Sequence, residues 1–261
     1  MERKTALITG ASGGIGSAIA RAMAQAGYDI GIHYRSSREE AEALAREAEA
    51  LGVRAALFQG DAADVGRMRA LTREFVETFG RIDVLVNNVG ITVLRPFLEA
   101  DEELAERLFT VDFKTPYFVA QEAARAMAAK KISGCIINIT SVQARINFPE
   151  ASLYGSMKAA MVKLTEHMAV ELSQYGIRVN AIAPGYINTQ DTLSPRAAYI
   201  QSRNPLQRLG KGEDIAHMAV FLASPEGGYI NGANIAVDGG MPLPSAADNL
   251  YTPRVITDKI G

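Results

Sequence analysis

The feature of this 261-residue chain that most restricts its fold is an alternation of short apolar runs, each ended by glycine or a polar residue, with longer stretches of helical period. "TALITG" (5–10) leads into "GIGSAIARAMAQAG" (14–27), "DIGIHY" (29–34) into a helical stretch over 37–51, and "RAALFQG" (54–60) into another over 64–79. "DVLVNN" (83–88) supplies a fourth strand, a long helix is predicted over 101–130, and "GCIINIT" (134–140) is the fifth strand. A helix over 154–175, the strand "IRVNAIAPG" (177–185), a short helix over 213–222 and the strand "ANIAVDGG" (233–240) complete the series. Strands rich in branched apolar residues that alternate with helices build a parallel sheet covered on both faces. The predicted fold class is therefore α/β: one Rossmann-type doubly wound parallel sheet of about seven strands, helices on both sides.

No linker or internal repeat divides the chain, so residues 1–240 read as one domain and 241–261 as its C-terminal extension. Two stretches lack a clear period: 186–211, and the tail from Met241 with its three prolines. With 48% hydrophobic residues the chain can bury a substantial core. A net charge of -2, from 27 basic and 29 acidic residues, lacks the basic excess suited to nucleic acid or an anionic membrane, which points to a small-molecule or protein partner.

Cys135, the one cysteine, sits in the apolar "CIINI", and His33, His167 and His217 are far apart in sequence. Neither a disulfide framework nor a metal site is expected. No apolar run reaches the roughly 18–20 residues of a membrane span, and the N-terminus enters a strand without an apolar signal core. The expectation is a soluble, cytoplasmic protein.

"TGASGGIG" (9–16) places Gly10, Ser12, Gly14, Ile15 and Gly16 between the first strand and its helix. Glycines there let the backbone bend sharply and let a pyrophosphate approach the positive end of the helix; tight packing of helix on strand also favours them. Position at the start of a βαβ unit argues for a dinucleotide. An acid at the end of the second strand would bind ribose hydroxyls and repel a 2′-phosphate. That end reads "IHYRSS": Tyr34 stands where the acid is expected, followed by Arg35 and the hydroxyls of Ser36 and Ser37. A guanidinium among hydroxyls suits a phosphate, which favours NADP(H) over NAD(H); the competing reading of Arg35 is a solvated charge.

"YGSMKAA" (154–160) sets Tyr154 one helical turn before Lys158, so the two can share a face. Carbonyl reduction needs hydride delivered to carbon and a proton to oxygen, and a phenol can serve in both directions if it ionises near the working pH. Bringing it from about 10 to about 7 takes roughly 4 kcal/mol, and an ammonium about 5 Å away at an effective dielectric near 20 offers roughly 3. The bland alternative is an exposed helical pair. Ser141, after the fifth strand, is by itself as well read as a cap or turn residue; ligands of parallel sheets, however, bind at the C-terminal ends of strands.

"TGASGGIG", "NNVG" (87–90), Ser141 thirteen residues before "YGSMK", and "PG" (184–185) together resemble the short-chain dehydrogenase/reductase family, over about residues 5–240. "NPLQRLGKGEDIAHMAVFLAS" (204–224) and "INGANIAVDGG" (230–240) are similar to the branch holding 3-oxoacyl-carrier-protein reductases and bacterial glucose dehydrogenases. The resemblance implies that Tyr154 is the general acid/base, that Lys158 holds the nicotinamide ribose and makes Tyr154 easier to ionise, and that Ser141 binds the substrate oxygen. It also implies that Asp61 and the adjoining Ala62 face the adenine. Asn88 and Gly90 would help form the cofactor cleft, and Pro184, Gly185, Ile187 and Thr189 would line the nicotinamide side. NADP(H) is the preferred cofactor on this reading, with NAD(H) the alternative, and the substrate is a small keto or hydroxy compound.

The chain departs from the family pattern at "TVDF" (110–113), where Asp112 stands in place of the usual asparagine. An ionised aspartate only accepts hydrogen bonds. Three roles are open to it: a neutral acid, a partner of Lys158 that competes with Tyr154 for its charge, or an acceptor from a backbone amide. Val89 for the commoner alanine is a modest change of volume.

Residues 186–211 are expected to form the substrate cover, and Arg145 and Asn147 are either polar substrate contacts or plain exposed loop residues. Related proteins commonly form tetramers through the two long helices, which makes a homotetramer the expected assembly, with the tail either crossing to a neighbouring subunit or loosely ordered. The rival to an NADP(H)-dependent oxidoreductase is a dinucleotide-binding regulatory or scaffold protein with little turnover, for which Asp112 is the hint.

Overall fold

The structure, a computed structural model, describes residues 3–189 and 192–243. Among these residues seven strands form one sheet: β1 (Thr5–Ile8), β2 (Asp29–Tyr34), β3 (Ala55–Gln59), β4 (Val84–Asn87), β5 (Cys135–Ile139), β6 (Arg178–Pro184) and β7 (Asn234–Val237), in the order β3-β2-β1-β4-β5-β6-β7. Every pairing is parallel; in register, Ala6 lies opposite both Ile30 on β2 and Val84 on β4. The order reverses between β1 and β4, and in a sheet of this kind that switch point opens a crevice beyond the strand ends.

Among the described residues there are eight α-helices: α1 (Gly14–Gln25), α2 (Arg38–Ala50), α3 (Val65–Phe79), α4 (Glu102–Phe109), α5 (Thr115–Ala129), α6 (Ser152–Leu172), α7 (Pro195–Arg203) and α8 (Gly212–Ala223). Successive strand residues point to opposite faces, so each apolar run feeds two cores. Ile8, Val86 and Ile137 pack with α1 and α8 on one side, while Leu7, Leu85 and Ile136 pack with α3 and α5 on the other. That double burial is why the strands read as near-continuous hydrophobic runs rather than as alternating ones. Among the described residues, no helix is long and apolar enough to cross a membrane.

Two regions differ from the sequence expectation. The stretch 101–130 is not one helix: Asp101 caps α4 by accepting from Leu104 N at 2.8 Å, and a π-helical turn, Thr110–Lys114, separates α4 from α5. An i→i+5 turn admits an extra residue without ending the helix, so sequence reading registers one continuous helix across it. The stretch 186–211 is not wholly irregular either, because it contains α7. Its start carries a legible signal, Ser194 accepting from Ala197 N at 3.1 Å with Pro195 at the first helical position. Of the tail from Met241, only the first three residues are described, and the expectations for the rest lie outside the described residues.

Candidate active site

The loops that leave β1, β4, β5 and β6 meet at one edge of the sheet. At the first of them, Gly10 (φ +64°) and Gly14 (φ +54°) adopt the left-handed conformation that favours glycine. Gly16 faces a different restriction: a Cβ on it would lie 2.1 Å from Gly10 O and 2.6 Å from Asn88 Nδ2, so α1 can sit this close only without a side chain there. Asn88 fastens the turn to the end of β4, its Nδ2 donating to Thr9 O (2.8 Å) and Gly10 O (3.1 Å), while Thr9 Oγ1 accepts from Asn88 N and Val89 N. No side chain caps α1 and no acid lies in its first turn. Gly13 and Gly14 are exposed, Ser12 and Ile15 half-buried, and Thr189 Cγ2 lies beside Gly14. Open amide donors at a helix start, without a competing carboxylate, match the chemistry of a bound phosphate.

Tyr34, at the end of β2, is buried, whereas Arg35 and Ser36 are exposed. No carboxylate among the described residues pairs with Arg35. Asp61 is exposed and its Oδ1 accepts from Ala63 N at 2.9 Å; Ala62 is buried and its carbonyl accepts from Thr115 Oγ1 at 2.6 Å. On the far side, Pro184 ends β6 opposite Val237, Gly185 N donates to Val237 O, and Ile187 bridges to Gly210.

Between these two walls lies a buried polar cluster. Ser141 follows β5 and its Oγ accepts from Gln143 N at 3.1 Å. Tyr154 and Lys158 project from the first two turns of α6, both over nine-tenths buried, with Lys158 Nζ 5.6 Å from the centre of the Tyr154 ring. Lys158 Nζ donates to Ile139 O at 3.3 Å and stands 3.0 Å from Asp112 Oδ1. That last contact lacks hydrogen-bond geometry, so it is an attraction between charges, and Asp112 Oδ2 accepts from Ile91 N at 3.3 Å. Of the three roles left open for Asp112, the structure shows two together: partner of Lys158 and acceptor from a backbone amide. The π-helical turn aims its side chain inward, where it is fully buried.

Gly90 borders this pair. A Cβ on Gly90 would lie 2.7 Å from Asp112 Oδ1 and 3.1 Å from Lys158 Nζ, so the absence of a side chain leaves room for both charges. Arg145 and Asn147 are exposed. Among the described residues, no group of three or more His, Cys, Asp or Glu side chains is arranged to hold a metal ion.

One residue at this edge has no counterpart in the sequence expectations. His33, on β2, accepts from Gly10 N through Nδ1 at 2.8 Å, and its Nε2 lies 3.1 Å from Gly60 O. Burial pushes its pKa down from 6.5 to about 4.

A doubly wound sheet, a glycine turn at its first strand and a Tyr–Lys pair buried at the same edge define a class, and the chain belongs to the short-chain dehydrogenase/reductase family. It is an oxidoreductase acting on CH–OH and C=O groups, and the regulatory or scaffold alternative is not favoured. A family model described as enoyl-(acyl carrier protein) reductase matches residues 10–242. The chain is 40% identical to an L-rhamnose 1-dehydrogenase (NAD(P)(+)) of Sphingomonas sp., over 92% of this chain and 97% of that protein. It is 39% identical to a 3-oxoacyl-[acyl-carrier-protein] reductase of Staphylococcus aureus, over 91% and 98%. Among solved structures, an acetoin dehydrogenase from Salmonella typhimurium superposes with a TM-score of 0.88 at 36% identity, covering 94% of this chain and 98% of the other. A blue fluorescent protein from a metagenomic library, in complex with NADPH, gives 0.85 at 37% identity, covering 91% and 97%.

Proposed function

We propose that the chain catalyses reversible hydride transfer between NADP(H), preferred over NAD(H), and a small keto or hydroxy compound, with Ser141, Tyr154, Lys158 and Asp112 as the working residues. The observation that carries this reading is the burial of Tyr154 and Lys158 side by side at the sheet edge that also holds the glycine turn.

The residues present fit a dinucleotide. The exposed amides of Gly13 and Gly14 at an uncapped helix start suit its pyrophosphate. Asp61 and Ala62 border the adenine side, and Asn88, Gly90, Pro184, Gly185, Ile187 and Thr189 surround the nicotinamide side. Arg35 and Ser36, exposed and without an acid at Tyr34, suit a 2′-phosphate, which is the basis for the NADP(H) preference. When bound, NADP(H) supplies or accepts the hydride at the substrate carbon.

The protein supplies the proton chemistry. In reduction the Tyr154 phenol donates its proton to the substrate oxygen, and in oxidation the phenolate takes it back. Ser141 Oγ accepts from the Gln143 amide, so its own O–H remains free to donate to the same oxygen and hold it beside Tyr154. One Lys158 N–H faces Ile139 O and the ammonium is held beside Asp112 by charge alone, which leaves an N–H for a ribose hydroxyl. The ammonium also stabilises negative charge on the phenol ring 5.6 Å away.

The test is turnover of NADPH and NADH with a panel of 3-oxoacyl thioesters and acetoin, and of NADP⁺ and NAD⁺ with sugars such as L-rhamnose. The expected result is turnover with one class, faster with the phosphorylated cofactor. Tyr154→Phe should lose at least about a hundredfold in kcat while retaining NADPH affinity. A phenylalanine variant as active as the parent would refute the assignment.

The same reading includes a homotetramer. A groove of about 400 Å³ between α5 and α6, lined by Tyr117, Leu164, Met168 and Tyr175 among others, presents a partly apolar face suited to a second copy. Light scattering that gives a monomer mass at micromolar concentration would remove the assembly from the proposal.

A further inference from the structure

We infer that His33 is a positioning residue for the cofactor, one imidazole joining the phosphate turn after β1 to the adenine-side loop after β3. The inference rests on the dinucleotide reading above and assigns a residue that reading does not use.

His33 lies near the end of β2, the strand between β1 and β3, and it is 99% buried. Its two ring nitrogens face partners of opposite kind. Nδ1 meets the N–H of Gly10 at 2.8 Å and must be an acceptor; Nε2 meets the carbonyl of Gly60 at 3.1 Å and must carry the proton. Only the neutral Nε2–H tautomer satisfies both. The backbone of His33 adds a third tie, its carbonyl accepting from Ala11 N at 2.8 Å.

The Gly10 amide is therefore turned inward, onto the imidazole, at the residue whose left-handed φ starts the glycine turn. The exposed amides at Gly13 and Gly14 follow from that start. Gly60 immediately precedes Asp61 and Ala62, so the other end of the ring fixes the loop that borders the adenine. Desolvation, the largest effect, and the charge of Arg67 on α3 disfavour protonation; they outweigh the Gly60 hydrogen bond and the charge of Asp61 on the β3 loop, which favour it, and keep the ring neutral. The bridge is thus intact at any pH near neutrality, and its role is geometric: it holds two cofactor-contacting loops at a fixed separation before the cofactor arrives. Holding a site in its binding geometry lowers the ordering cost of association.

The substitutions His33→Asn and His33→Leu separate the two ends of the bridge. Asparagine keeps an acceptor for Gly10 N but is too short to reach Gly60 O, and leucine keeps neither. We expect NADPH affinity, read by fluorescence titration at pH 7, to fall about threefold in His33→Asn and about tenfold or more in His33→Leu. Adenosine 2′,5′-bisphosphate, which lacks the nicotinamide half, should weaken by the same factors. The kcat at saturating NADPH should stay within about twofold of the parent, because no group at the Tyr154 end has moved. In ¹⁵N–¹H spectra the parent should show one imidazole in the Nε2–H form, absent from both variants.

Folded variants that bind NADPH and the bisphosphate as tightly as the parent would overturn the inference, as would a loss confined to kcat or a parent imidazole protonated on Nδ1. If His33→Leu does not fold, His33→Asn and the parent spectrum decide the matter. A parent that binds neither NADPH nor NADH, with the expected tautomer present, overturns the functional reading and this inference with it; unchanged binding in the variants of a parent that does bind overturns the inference alone.

Discussion

Replacing Asp112 by asparagine tests how the buried pair sets the acid–base chemistry. At an effective dielectric near 20, the Lys158 ammonium, 5.6 Å from the Tyr154 ring centre, stabilises a phenolate by about 3 kcal/mol. The Asp112 carboxylate opposes it. It stands 3.0 Å from Lys158 Nζ, so it can be no further from the ring than the two distances laid end to end, under about 9 Å, and its repulsion is at least about 2 kcal/mol. The pair together therefore stabilises the phenolate by no more than about 1 kcal/mol. Asp112→Asn removes the opposing charge while keeping the shape and an acceptor for Ile91 N.

Two kcal/mol corresponds to about 1.5 pH units. The midpoint of kcat/KM against pH for alcohol oxidation should move toward acid by about one and a half units or more in the variant, with the rate rising at neutral pH. The assay is steady-state oxidation of a fixed alcohol with saturating NADP⁺ from pH 6 to 10, with circular dichroism at each end to establish that both proteins stay folded. Superimposable profiles from two folded proteins would refute the electrostatic argument and leave Asp112 with a purely architectural place. A midpoint displaced toward alkali would refute the sign.

Three further outcomes are expected. His33 is neutral in the folded protein down to about pH 4, while an unfolded histidine takes up its proton near 6.5; the stability this contributes is complete above 6.5 and drains away as pH falls toward 4, by up to about 3 kcal/mol. Urea midpoints at pH 7, 5.5 and 4 should show a steeper acid loss in the parent than in His33→Asn, and parallel curves would contradict the assignment. Gly90→Ala pushes a methyl group to within 2.7 Å of Asp112 Oδ1 and 3.1 Å of Lys158 Nζ, so kcat should fall about tenfold or more as Lys158 is displaced, checked by steady-state kinetics at saturating cofactor. Arg35→Ala should raise the KM for NADPH about tenfold and leave that for NADH unchanged; an equal effect on both would remove Arg35 from recognition of the 2′-phosphate.

The sheet, the glycine turn and the Tyr154–Lys158 spacing were legible because each is local: a strand, a turn or one step of a helix is written within a dozen residues. The Asp112–Lys158 contact joins residues 46 positions apart, and the π-helical turn that carries Asp112 interrupts what reads in sequence as one continuous helix. A lone histidine in a strand, such as His33, looks like ordinary core, since nothing near it in sequence names Gly10 or Gly60 as partners. The start of α7 is a different kind of miss. Ser194–Pro195 is a recognisable helix opening, obscured by the absence of a strong apolar stripe behind it.

The wide turn between α4 and α5 ties the placement of a charge to a count of residues. Each helical residue advances the direction of its side chain by about 100°, so deleting a single position from Thr110–Lys114 would restore regular pitch, leave the flanking helices in phase and turn the side chains within the turn by up to roughly that angle. The aspartate would then face away from its lysine. Insertions and deletions in this stretch should therefore abolish turnover in chains that still fold, and a library of length variants scored separately for solubility and for rate would display the two losses at different positions.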